Sequence, residues 1–171
     1  MKYRNDDDKC YGAAGMALGL AIFDATELYQ GLDLDDDGGM GITFSPEFYF
    51  CGNPRYNAKD SWQLVYSHFR VSMGLAIANT MCRKMVLDHG SLTHRQRQQL
   101  LDAATAEGSA VCQLEPDEVQ PIFDQYFSHL VRVFSNADVR RAATRLATEL
   151  KRQRTFTRAQ VAELLQSLNL A

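Results

Sequence analysis

The chain has few of the signals by which a sequence announces chemistry. It contains no Gly-x-Ser-x-Gly, His-Glu-x-x-His, P-loop or dinucleotide-binding fingerprint. It has no Glu-x-x-His pair of the kind that holds two irons in a helical bundle. Its histidines, His68, His89, His94 and His129, are scattered. Asp88 and His89 are adjacent and so point different ways on a helix, and Asp124 and His129 are offset by five positions, a poor pairing distance. The sequence therefore favours a non-catalytic protein.

Cysteine is sparse as well. Cys10, Cys51, Cys82 and Cys112 lie far apart with no Cys-x-x-Cys pair, which excludes a zinc ribbon. Free thiols in apolar surroundings, in a cytoplasmic protein, are the expectation. Long apolar runs are missing too. The uncharged stretch from Cys10 to Phe23 is too short to span a bilayer. It is also a poor signal core, because Asp6, Asp7 and Asp8 offset the preceding basic residues. No membrane partner is expected. No internal repeat or low-complexity tract divides the chain, so residues 1–171 are read as one domain.

What is present begins with composition. Hydrophobic residues make up 46% and charged residues 23%, ordinary values for a chain that folds around a core. The net charge of −3 hides an asymmetry. Residues 1–60 hold five Lys/Arg against eleven Asp/Glu, whereas residues 61–171 hold thirteen against ten. The two ends are expected to attract each other across the fold or to face different partners.

Apolar spacing predicts an all-α protein, an irregular bundle of about six helices. A first helix is expected from Asp8 to Leu32. Its Gly12, Gly15 and Gly19 cost helix stability unless another backbone packs closely there. A second helix, from Asp60 to just before Gly90, is apolar on nearly every side, so it should be central. Trp62 opens one of its stripes. His68, Asn79 and Thr80 would then be buried polar groups in need of partners. Further helices are expected over Thr93–Glu107, from Pro116, after Asn136 and after Thr157, the last with a Thr157–Gln160 capping box. Residues 33–57 are left as a non-helical insertion resembling a short β-ribbon.

Three segments are candidate sites. Asp33, Asp35 and Asp37 alternate and are followed by Gly38, the front half of an EF-hand loop. The twelfth position holds Phe44 instead of the bidentate Glu, and Ser45-Pro46 disfavours an outgoing helix. A non-EF calcium (Ca2+) site on a structural protein competes here with a solvated acidic loop. The insertion also concentrates aromatics, among them Phe48, Tyr49, Phe50 and Tyr56. They either cap the core or form an exposed interaction patch. Last, Arg141, Arg145 and Arg152 fall on one face of the fifth helix, where they would suit phosphates of a nucleic acid. The overall acidity argues against nucleic acid as the main partner. The leading expectation is a protein-interaction module that binds another protein or itself through the aromatic insertion.

Overall fold

The computed structural model describes residues 2–35, 41–49 and 58–167, without the side chains of Glu47, Tyr49 and Ser167. Helix α1 (Asp6–Ile22) is capped by Asn5, whose side chain accepts from the Asp8 backbone N–H at 2.9 Å. Strand β1 (Tyr29–Asp33), strand β2 (Ile42–Phe44) and the one-turn helix α2 (Pro46–Tyr49) follow. Helix α3 (Ala58–Met81) runs on into a wider π-helical segment over Cys82–Leu87. Helices α4 (His94–Cys112), α5 (Pro116–Ser135) and α6 (Ala137–Arg152) come next, then strand β3 (Thr155–Thr157) and helix α7 (Arg158–Ser167). The protein is thus mostly α-helical, with a small antiparallel sheet in the order β2-β1-β3. No described helix is long and apolar enough to cross a membrane.

Helix α1 corrects the expected first helix, which was drawn ten residues too long. The chain leaves the helix through a Schellman turn. Asp24 takes a left-handed φ of 50° and its N–H donates to Ala21, while the Ala25 N–H donates back to Leu20 at 2.8 Å. Ala25, Tyr29 and Leu32 are buried as the helical spacing predicted, but Tyr29 and Leu32 are buried from a strand. A second correction concerns Ser45-Pro46. Proline is tolerated in the first turn of a helix, and Pro46 opens α2. The ribbon-like insertion therefore starts earlier, at β1, and contains a helical turn. Its third strand, β3, comes from the far end of the chain and was not foreseen.

Helix α3 is already helical at Ala58, so Asp60 lies inside its first turn instead of capping it, whereas α4 to α7 start where their caps predicted. Thr93 and Gln96 form a reciprocal capping box at α4, which runs past the expected Glu107 to Cys112. Pro116 occupies the first turn of α5, and Pro121 lies inside the same helix. Asn136 caps α6. At α7, the Thr157 hydroxyl accepts from the Gln160 N–H and the Gln160 side chain accepts from the Thr157 N–H. Thr157→Ala is expected to cost about 1 kcal/mol, read as a lower urea midpoint with an unchanged denaturant slope.

The core is a single cluster built around α1 and α3. The α1 glycines are the reason these helices approach so closely. A methyl group placed on Gly15 would lie 2.5 Å from the Ala78 carbonyl oxygen and 2.6 Å from Cys82 Cβ. Beside this contact sits a buried charge. The Asp8 side chain is fully buried and accepts from Arg83 Nε at 2.9 Å and Arg83 Nη2 at 2.5 Å. Arg4 adds a guanidinium and a backbone N–H, each at 2.9 Å, and reaches on to Asp88 at 2.7 Å. Tyr3 covers the Arg83 guanidinium, 4.9 Å from its ring centroid, and its hydroxyl accepts from buried Asn79 at 2.9 Å. Asn79 thus has the partner its burial demands, and the Thr80 hydroxyl donates to the Ala76 carbonyl. The opposite charges of the two chain ends also meet. Lys151 pairs with Asp7 at 2.5 Å, and Arg154 with Asp6 at 3.0 Å and Asp35 at 2.6 Å.

Candidate functional site

The first two turns of α3 depart from the expected burial. The buried residues of α3 begin at His68, and Trp62 is 45% exposed. Its indole N–H donates to the Cys112 carbonyl at the end of α4 at 3.2 Å, which ties the N-terminal end of α3 to α4. The neighbouring Val111 is 49% exposed. These two are the exposed large hydrophobics among the described residues. The Trp62 and Tyr66 rings stack almost parallel at 5.1 Å. Arg70 continues the row, its guanidinium between the rings of Tyr66 and Tyr126, and its Nε donates to the Tyr126 hydroxyl at 3.1 Å. Spacing of three to four residues places Trp62, Tyr66 and Arg70 along one side of the helix.

A 320 Å³ cleft opens beside this row. Phe48, Val65, Phe69 and Val111 form apolar parts of its lining, and His68, Ser72 and Glu107 form the polar parts. Phe48 reaches it because α2 is pinned: the Ser45 N–H donates to Leu28 and the Phe48 N–H to Ser45. The Phe48 ring stacks on Phe44 at 4.1 Å and on His68 at 4.9 Å. Burial pushes the His68 imidazole below its usual pKa, opposed by a hydrogen bond with the Phe48 backbone. Near pH 7 the cleft therefore presents His68 mainly as the neutral ring.

The predicted site residues separate in the fold. Phe48 is half-buried and packs against the core, so it caps the core and also walls the cleft. The Tyr49 side chain, Phe50 and Tyr56 lie outside the described residues. In the acidic segment, Asp33 ends β1 and its carboxylate accepts from the Asp35 N–H at 2.9 Å, while Asp35 is paired with Arg154. Asp37 lies outside the described residues. A strand enters this loop where an EF-hand needs a helix, which removes the EF-hand resemblance. Among the described residues no group of three His, Cys, Asp or Glu side chains gathers to hold a metal. Cys10, Cys82 and Cys112 are buried free thiols.

The basic face of α6 is divided as well. Arg152 pairs with Glu149 at 2.6 Å and Arg141 with Asp138, whereas Arg145 has no partner among the described residues. Sequence spacing placed Trp62 in a core stripe and passed over Val111. The signal available was the position of Trp62, one turn into its helix, where a stripe has less structure to bury against.

The fold and its surface define a mostly helical protein with an aromatic-edged cleft. No known protein family, curated protein or solved structure matches the chain.

Proposed function

We propose that the chain is a protein-interaction module whose contact surface is the α3–α4 cleft with its Trp62–Val111 edge. One observation carries the reading: the two exposed large hydrophobics among the described residues are brought to one place by the Trp62–Cys112 hydrogen bond, with a Trp-Tyr-Arg row on one helix and a cleft that Val111 itself lines. Trp, Tyr and Arg are the residues that dominate binding energy at protein interfaces. Clustered exposed apolar surface beside a concave site is a mark of such interfaces. The ordered Trp62 indole and the stacked Tyr66 ring lose little conformational freedom on binding, which favours affinity. The partner is another protein or a second copy of the chain.

The test uses a photo-crosslinking amino acid at Val111 in cells that make the protein. Defined protein adducts are expected from position 111 and not from Arg132 on α5. Trp62→Ala should reduce the adducts at 111 by about tenfold or more, as loss of a central anchor does. Equal labelling from both positions, or labelling insensitive to Trp62→Ala, would sink the reading.

A further inference from the structure

A second cleft, of 490 Å³, lies between the π-helical segment and α6. Its lining includes Arg140, Arg141 and Arg145 of α6 together with Val86 and His89, and no carboxylate. We propose that this cleft binds a small phosphomonoester with an apolar body. The site is distinct from the surface proposed above and is built from other residues.

Four observations support a ligand with this chemistry. Three arginines line one concavity, and guanidinium is the side chain best matched to phosphate oxygens. Arg140 is fixed in place, since its Nη2 donates to the Met85 carbonyl at 2.6 Å. Arg145 is exposed and has no carboxylate partner among the described residues. The carboxylate nearest in sequence to His89 is Asp88, which is already matched by Arg4 at 2.7 Å and Lys84 at 2.8 Å. Arg141 is paired with Asp138, so the charge left without a carboxylate partner among the described residues is that of Arg140 and Arg145. Val86, itself 3% exposed, lies at the floor of the cleft, and the aliphatic stems of the arginines supply the rest of its apolar wall.

The backbone contributes to the same place. π-Helical turns are rare and concentrate at functional sites. Here the turn closes through the Asp88 N–H to Arg83 and the Gly90 N–H to Lys84. His89, between them, takes a left-handed φ of 51°, uncommon for a residue with a side chain.

The geometry favours a single phosphate over a nucleic-acid track. Nucleic-acid binding sums several phosphate contacts along a surface. Beyond the cleft, Lys151, Arg152 and Arg154 are each paired with a carboxylate.

An NMR amide titration with phenyl phosphate tests the proposal. Saturable shifts are expected at Val86, His89, Thr144 and Arg145, with a Kd of about 0.1–1 mM. Arg145→Ala should weaken binding about tenfold, the worth of one charge-assisted contact. Arg145→Gln, which keeps much of the length without the charge, should match it. Arg152→Ala should leave the affinity unchanged. Three results would overturn the site: no saturation, equal weakening by Arg152→Ala, or tighter binding of a single-stranded oligonucleotide that depends on Arg152.

Discussion

Asp8→Ala is expected to destabilise the protein by about 3–5 kcal/mol, the usual cost of removing one partner from a buried ion pair. The carboxylate is fully buried, and Arg83 is only 14% exposed. Truncation would leave the Arg83 guanidinium desolvated with two donors unmet. The same group sets the acid limb of stability. Burial by itself would raise the Asp8 pKa, but hydrogen bonds from Arg83 and Arg4 outweigh it and hold the carboxyl well below the usual carboxylate range. A depressed folded pKa gives stabilisation that is complete above the unfolded value, about 3.9. It is lost as the pH falls below that value toward the folded pKa. Urea unfolding between pH 2 and pH 7 should therefore show a steep acid limb in the wild type. Asp8→Asn should start less stable at pH 7 and show a shallower limb. Equal slopes for the two proteins would refute this role for Asp8.

Gly15→Ala should lower the unfolding free energy by about 2–3 kcal/mol, although alanine is the better helix former by about 1 kcal/mol. The added methyl would meet a backbone oxygen and a Cβ, neither of which can turn away as a side-chain end can. Relief requires α1 and α3 to part, which loosens the centre of the core. Gly19→Ala is the internal comparison. There the new methyl would lie 3.0 Å from Leu75 Cδ2, the tip of a side chain that can rotate, and 3.2 Å from Ala78 Cβ, a contact that a shift of a few tenths of an ångström relieves. Gly19→Ala should cost less than 1 kcal/mol or be neutral. If both variants unfold at the same urea concentration, the close backbone contact is not what holds these helices together.

The glycines also show how far the sequence could be read. Gly12, Gly15 and Gly19 implied a close helix neighbour before any coordinates, because their cost in a helix needs a compensating contact. The capped helices were equally legible, since a Thr157–Gln160 or Thr93–Gln96 box is a local chemical pattern. The end of α1 was not. Its Schellman turn uses Asp24 at the left-handed position instead of the glycine that usually marks it, and helical spacing continues past the turn. Strand β3 was hidden for a different reason: three residues become a strand only because β1 is there to pair with them.

The candidate site was legible in part. Aromatic content pointed toward the segment holding Phe48, but spacing assigned Trp62 to the core stripe. Burial depends on what packs around the start of α3, which no local pattern states. On α6, spacing placed Arg141, Arg145 and Arg152 together. Which of them is neutralised depends on Asp138 and Glu149, three residues away on the same helix, and on the rotamers they adopt.

The sheet order β2-β1-β3 has a bearing on the timing of folding. Strand β1 pairs on one side with a strand made soon after it, and on the other with residues 155–157. During synthesis, β1 emerges with its β3-facing side unpaired, and that side stays open until residues 155–157 have left the ribosome. An open strand edge is a template for pairing with other chains. Closure by β3 is a long-range contact and slow to form. A variant that weakens the β1–β3 pairing is therefore expected to leave that side of β1 open for longer and to lower the yield of folded chain on expression.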